Sequence, residues 1–190
     1  MSIAPTFTRA QLESYRDVEV PDLIGPGLRL LFVGINPGLW TAATQTHFAH
    51  PGNRFYPALR AAGIITLDIP STGMTDADRA HLVERGIGIT NIVRRATARA
   101  DELSREEYAA GGLRLRELVD RLQPPVVAVA GITAYRAAFG LPKAVPGLQP
   151  DRWGATEVWV VPNPSGLNAH ETVATLAEKY AAPARAAGIL

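Results

Sequence analysis

Leu30-Leu31-Phe32-Val33-Gly34-Ile35-Asn36-Pro37-Gly38 reads as a buried strand that stops abruptly at a polar group. A strand covered on both faces shows a continuous apolar run instead of alternation. Pro37 removes an amide donor and pushes Asn36 towards extended geometry, while Gly38 lets the backbone turn or a ligand approach closely. An amide side chain is thereby held at the carboxyl end of a central strand, and in open α/β sheets that edge is where ligands bind. Taken alone, Asn-Pro-Gly also describes an ordinary strand-ending turn. A second apolar run, Glu157 to Pro162, ends in Asn163-Pro164-Ser165-Gly166-Leu167-Asn168, so two strands end in Asn-Pro followed by a small residue. In one parallel sheet, both asparagines stand on the same rim.

Upstream, residues 1–27 carry Pro5, Pro21 and Pro26 around a short helical stretch, Thr8 to Tyr15, and read as a peripheral arm. Leu39 to Gly52 reads as a long connection without regular structure, and such loops in compact domains are functional or mobile. Asn53 caps a helix that Gly63 ends, and Thr75 with Asp78 opens another that Gly86 closes. Gly88 to Val93 is a strand that runs straight into Arg94, Arg95 and Arg99. Ser104 with Glu107 forms a capping box for a helix reaching Pro124-Pro125, its middle weakened by Gly111-Gly112. Val126 to Gly131 is a further strand, a short helix ends near Gly140, Pro142 to Trp153 is loop, and Val173 to Tyr180 marks the last helix. Strands alternating with helices predict a three-layer α/β/α sandwich around a mainly parallel four-stranded sheet, one domain over residues 28–190.

A chain of 190 residues buries a core without covalent staples. Cysteine is absent, which excludes disulfides, thiolate nucleophiles and cysteine-ligated zinc or iron–sulfur clusters. A net charge of +1 does not announce nucleic acid, so any attraction to it depends on how the arginines are arranged. With no signal peptide and no apolar run long enough for a span, a soluble cytoplasmic protein without a membrane partner is expected.

His47 and His50 are three apart, but a metal needs three or four ligands and no acidic residue or further histidine lies close by, so no metal is expected. No phosphate-cradling glycine fingerprint follows a strand, so no nucleotide cofactor is expected either. Ser165 sits in Pro-Ser-Gly, without the context of a hydrolase nucleophile, and reads as a turn residue.

Four strings in order, Gly34-Ile35-Asn36-Pro37-Gly38-Leu39, Phe48-Ala49-His50-Pro51-Gly52-Asn53-Arg54-Phe55, Gly88-Ile89-Thr90-Asn91 and Asn163-Pro164-Ser165-Gly166-Leu167-Asn168, resemble the mismatch-specific uracil-DNA glycosylase and thymine-DNA glycosylase family. The resemblance runs from about Leu28 to about Tyr180. It implies a uracil-DNA glycosylase-like fold and monofunctional hydrolysis of the N-glycosidic bond to a uracil, or another altered base, flipped out of double-stranded DNA. Action as a monomer, associated with the nucleoid when on DNA, goes with that reading.

By the same resemblance Asn36 orients the attacking water, Phe48 stacks on the flipped base, and Ile35, Thr41, His47, Asn91 and Asn163 complete the base pocket. Gly166, Leu167 and Asn168 resemble the wedge that enters the helix and meets the widowed guanine, and Arg54, Arg94, Arg95 and Ser165 are expected on phosphate. An amide cannot act as a strong base, but it fixes a water, which suits a leaving group that departs largely by itself. Asn168, three residues before Glu171, also reads as a helix N-cap. Ala169 and His170 stand where some bacterial relatives carry an arginine, and the branched Thr41 stands at a position of small residues, where it crowds a thymine methyl and favours uracil. A mismatch-sensing DNA-binding module of the same fold, or an α/β hydrolase of free nucleosides, are the rival readings. Turnover of a uracil-containing duplex separates them.

Overall fold

The structure, a computed structural model, describes residues 7–190; the first six residues of the arm, Pro5 among them, lie outside the described residues. In chain order the elements are α1 (Arg9–Glu13), β1 (Leu30–Gly34), α2 (Leu39–Thr44), α3 (Phe55–Ala61), α4 (Asp76–Glu84) and β2 (Ile87–Asn91). There follow a 3₁₀ turn (Ala100–Glu102), α5 (Arg105–Leu122), β3 (Val126–Ala130), α6 (Ile132–Phe139), β4 (Gly147–Leu148), β5 (Glu157–Val161) and α7 (Val173–Ala186).

The sheet runs β2-β1-β3-β5-β4, and all pairings are parallel except β4 on β5. Strands β1, β2 and β3 are buried throughout, and in β1 and β3 this follows from their unbroken apolar runs. Alternation within each strand feeds two separate cores. Leu30 and Phe32 point with Ile87, Ile89 and Ala128 to the side covered by α3, α4 and α7, where Phe55, Leu59, Leu82, Leu176 and Tyr180 meet them. Leu31 and Val33 point with Val127, Val129, Val158 and Val160 to α5 and α6, against Leu115, Val119 and Tyr135. Side chains of this size each contribute roughly 1.5–3 kcal/mol when removed from water, so the two layers dominate the stability of the fold.

The sheet has five strands where four are expected, because Gly147–Leu148 within the Pro142–Trp153 loop pairs antiparallel with Trp159 and Val160. Pro146 and Pro150 flank this strand and, lacking amide donors, keep it short. The Leu39–Gly52 connection likewise contains α2, which starts after Gly38 and stops where Gln45 turns left-handed at φ 51°. The arm lies along the body. Val20 is buried with Leu39, Ala42 and Ala96, and Leu23 exchanges backbone hydrogen bonds of 2.9 and 2.8 Å with Ile89, capping the outer edge of β2.

Gly111 and Gly112 do more than weaken α5. Each faces a neighbour's main chain, and a Cβ would overlap the carbonyl oxygen of Ile92 at the first and of Ala138 at the second. Alanine would gain about 1 kcal/mol in helix propensity. Overpacking against backbone costs about 1–3 kcal/mol or more, and it wins. Gly112→Ala is therefore expected to lower the urea midpoint and the melting temperature by several degrees; a stabilised variant would show that propensity governs here.

Candidate active site

Register places the functional rim. Gly34 pairs with Asn91, and Ala130 with Val161, so β1, β2, β3 and β5 end level with one another. Asn36, Asn91 and Asn163 therefore surround the mouth of one cleft of about 520 Å³, which Ile35, Thr41, His47, Phe48, Ser165, Gly166 and Leu167 also line. The segment after β2 continues beside Ile35–Gly38. Val93 donates to Ile35 (2.9 Å) and Thr97 to Pro37 (3.1 Å) through main-chain bonds.

That pairing fixes the catalytic candidate. Asn36 Nδ2 donates to Thr97 Oγ1 (2.8 Å), the Arg95 carbonyl (3.1 Å) and the Pro37 carbonyl (3.1 Å). The single hydroxyl proton of the buried Thr97 goes to the Arg99 carbonyl (2.8 Å), so Thr97 can only accept from Asn36. The amide orientation follows from the network: nitrogen into the wall, Oδ1 into the cleft without a donor among the described residues. A carbonyl oxygen so presented accepts a proton from water and aims the water's lone pair away from itself.

Phe48 has one face on the protein and one on the cleft. Its ring stacks on Phe55 at 4.1 Å and 27°, and Phe55 is wedged against Phe32 and Tyr180. Phe48 takes φ 58°, a sparsely populated conformation for an aromatic residue, and the neighbouring carbonyl of His47 is held by the buried Tyr56 hydroxyl at 2.7 Å. Gly34 leaves the room this needs. A Cβ there would overlap Asn91 Oδ1 and stand 3.1 Å from Phe48 Cζ.

His47 is buried between a carbonyl and an amide. The Pro21 carbonyl can only accept, so Nε2 carries the proton (2.9 Å), and Nδ1 accepts from Asn91 Nδ2 (3.0 Å). Asn91 Oδ1 is left on the cleft side as an acceptor. Burial pushes the imidazole below its ordinary value of 6.5, with the Pro21 bond and Asp22 pulling the other way and Arg79 adding to the fall. The unfolded chain then takes up a proton near pH 6.5 that the folded chain refuses. Stability is expected to fall as pH drops through that value, and to level off below the folded one. Urea midpoints between pH 7.5 and 5 should show this slope in the parental chain and lose it in His47→Gln; equal slopes would refute the assignment.

The 163–168 loop, where the wedge is expected, is exposed at its tip. Leu167 is 95% accessible, an apolar side chain with no packing of its own. Asn163 Oδ1 accepts from Ser165 N (3.0 Å), and Ser165 Oγ from Leu167 N (3.2 Å). Asn168 does not cap the last helix: Thr172 does, with its side chain on Thr175 N, because α7 begins only at Val173. Asn168 instead ties the loop, donating to the Asn163 carbonyl (3.0 Å).

The arginines depart most from expectation. Arg95 is engaged by Glu107 and by Asp17 (2.8 Å), and Arg94 lies 3.5 Å from Glu19. The Arg95 bond, helped by Ser104, holds Glu107 down to about 2. Arg99 pairs with Asp101. These guanidiniums face carboxylates, not an open groove, so Arg94 and Arg95 are not placed as free phosphate ligands. Such exposed pairs are worth little to stability. Arg54 is spent on main-chain carbonyls of the wedge loop, at Ser165, Asn168 and Glu171. Among the described residues no three of His, Asp or Glu cluster as a metal would need.

Thr97 and the Pro21 carbonyl hold Asn36 and His47 in place, and neither lies in a sequence motif. Thr97 is 61 positions from Asn36, and only strand register joins them. The solution NMR structure of a candidate uracil DNA glycosylase from Methanosarcina acetivorans shares the fold, with a TM-score of 0.60 over 90% of this chain and 98% of that one at 18% identity. The profile of the uracil DNA glycosylase superfamily matches residues 21–184, the span that holds β1 to β5 and every residue of the cleft. With its rim of asparagines and its stacked aromatic, the chain belongs to the uracil DNA glycosylase superfamily.

Proposed function

We propose that the protein is a monofunctional DNA glycosylase that removes uracil from duplex DNA, most readily when mispaired with guanine. The observation that carries this is the Asn36 amide, locked by three acceptors with its oxygen turned into a cleft floored by Phe48. The flipped base stacks on the free face of Phe48, and Asn91 Oδ1 accepts from its N3–H. The bond from C1′ to the base breaks first, leaving positive character on the sugar and the electron pair on the base. Asn36 holds water over C1′. The oxygen adds to the sugar, and the proton released ends on the departed base. No strong base is needed, since water attacks a carbon already electron-poor.

Flipping costs least where pairing is already poor, which favours mismatches. Thr41, buried in the cleft wall, narrows the space for a 5-methyl group and supports uracil over thymine. The test is a panel of duplexes with uracil or thymine opposite guanine or adenine, scored as abasic sites under enzyme excess. Uracil opposite guanine is expected to react fastest and thymine slowest. Tight mismatch binding with no abasic product would make the protein a sensor instead of an enzyme.

A further inference from the structure

We propose that Arg54 is a positioning residue: it braces the 163–171 loop so that Leu167 is presented ready to enter the helix, and it ties that wedge to the base-stacking platform. This rests on the glycosylase reading of the cleft. The observation is a convergence of four main-chain carbonyls on one residue. The Arg54 guanidinium donates to the carbonyls of Glu171, Ser165 (2.7 Å) and Asn168 (2.8 Å), and its main-chain N–H donates to Pro164 (3.0 Å). The loop also touches the turn before Arg54, for a Cβ on Gly166 would lie 2.6 Å from the Gly52 carbonyl. Within the loop the bonds are local: Asn163 Oδ1 and Ser165 Oγ reach two residues on, and Asn168 reaches back to the Ser165 carbonyl (2.9 Å) and the Asn163 carbonyl (3.0 Å).

An exposed leucine gains by folding back onto the surface, so a loop that displays one in water needs an external hold. Arginine suits this task because its planar fork reaches several carbonyls at once, which a lysine ammonium on a flexible stem does not. The next residue, Phe55, lies under Phe48. Base platform and wedge brace therefore leave the same turn of α3, and the spacing between the flipped base and its plug is set by two adjacent residues. A phosphate ligand would need the charge of Arg54; a brace needs its shape.

Lysine substitution separates the two. Single-turnover release of uracil is measured on a duplex and on a single strand for the parental chain, Arg54→Lys, Leu167→Ala and the double variant, with melting temperatures for each. Arg54→Lys is expected to slow the duplex reaction by roughly 10–100-fold and the single-strand reaction by less than about 3-fold. In the Leu167→Ala background it should add less than about 2-fold, because a brace without a wedge has nothing to present. The salt dependence of duplex binding should keep its slope. Should Arg54→Lys fail to fold, Gly166→Ala pushes the loop off from the other side and should give the same duplex-selective loss. Amide exchange of Ser165 to Asn168 provides a readout independent of catalysis, and the brace predicts faster exchange in Arg54→Lys. If the parental chain releases no uracil while exchange still rises, the glycosylase reading fails and the brace stands. Parental duplex rates in Arg54→Lys, equal losses on both substrates, or full additivity with Leu167→Ala would overturn the brace.

Discussion

Asn36→Ala is expected to fold and to bind a uracil-containing duplex nearly as the parental chain does, while its single-turnover cleavage falls by about 10²–10⁴-fold, the range spanned by positioned catalytic groups. Binding should survive because Phe48 and the loop that carries Leu167 are untouched. Rate should be lost because truncation removes the amide oxygen that holds water over C1′ and leaves Thr97 Oγ1 and the Arg95 and Pro37 carbonyls without their donor. Asn36→Asp should retain activity well above alanine and acquire a dependence on pH, since a carboxylate holds water too and offsets charge on the sugar. It also meets three groups that are acceptors or already committed donors, so it should not reach the parental rate. Cleavage at the parental rate in Asn36→Ala would remove Asn36 from the mechanism and turn attention to Asn91.

Gly34→Ala is expected to lower uracil release by about 10²-fold or more while costing about 1–3 kcal/mol of stability. The added methyl would overlap Asn91 Oδ1 and press on Phe48 Cζ. Neither can yield freely: Asn91 is tied through His47 to Pro21, and Phe48 is stacked on Phe55. The base-reading amide or the stacking ring must move, and a displacement of about 1 Å in positioning suffices for a loss of that size. The check is single-turnover release alongside a urea melt. An active, stable variant would mean that the base does not occupy the space bounded by Gly34, Phe48 and Asn91.

Much of this fold was legible because local chemistry and global architecture agree. The unbroken apolar runs at Leu30 and Val126 become strands buried on both faces, and Ser104 with Glu107 opens α5 through a reciprocal capping box. What escaped lies where a distant partner decides. Gly111 and Gly112 look like weak helix, yet their value is the closeness of Ile92 and Ala138. Asn168 has the spacing of a cap, but Thr172, four residues later, takes that role because the helix starts at Val173. For Arg54, charge suggested phosphate, whereas the three carbonyls that claim it belong to residues more than a hundred positions away. Asn36, Phe48, Asn91 and Asn163 stand in the motifs and line one cleft; Thr97 and the Pro21 carbonyl stand in none, because a threonine hydroxyl and a backbone oxygen have no signature until register brings them to Asn36 and His47.

The long reach of the Arg54 brace also sets when the machine becomes whole. As the chain leaves the ribosome, Asn36 and Phe48 emerge early, but Thr97 follows 61 residues after Asn36 and the Glu171 carbonyl 117 residues after Arg54. Contacts of such separation close long loops, whose entropy must be met before the contact forms. A chain that stops short of Asn163 can therefore hold Asn36 and Phe48 without the loop that Arg54 gathers. The cleft and the loop that Arg54 gathers are therefore completed only after β5, with the segment that leads into α7.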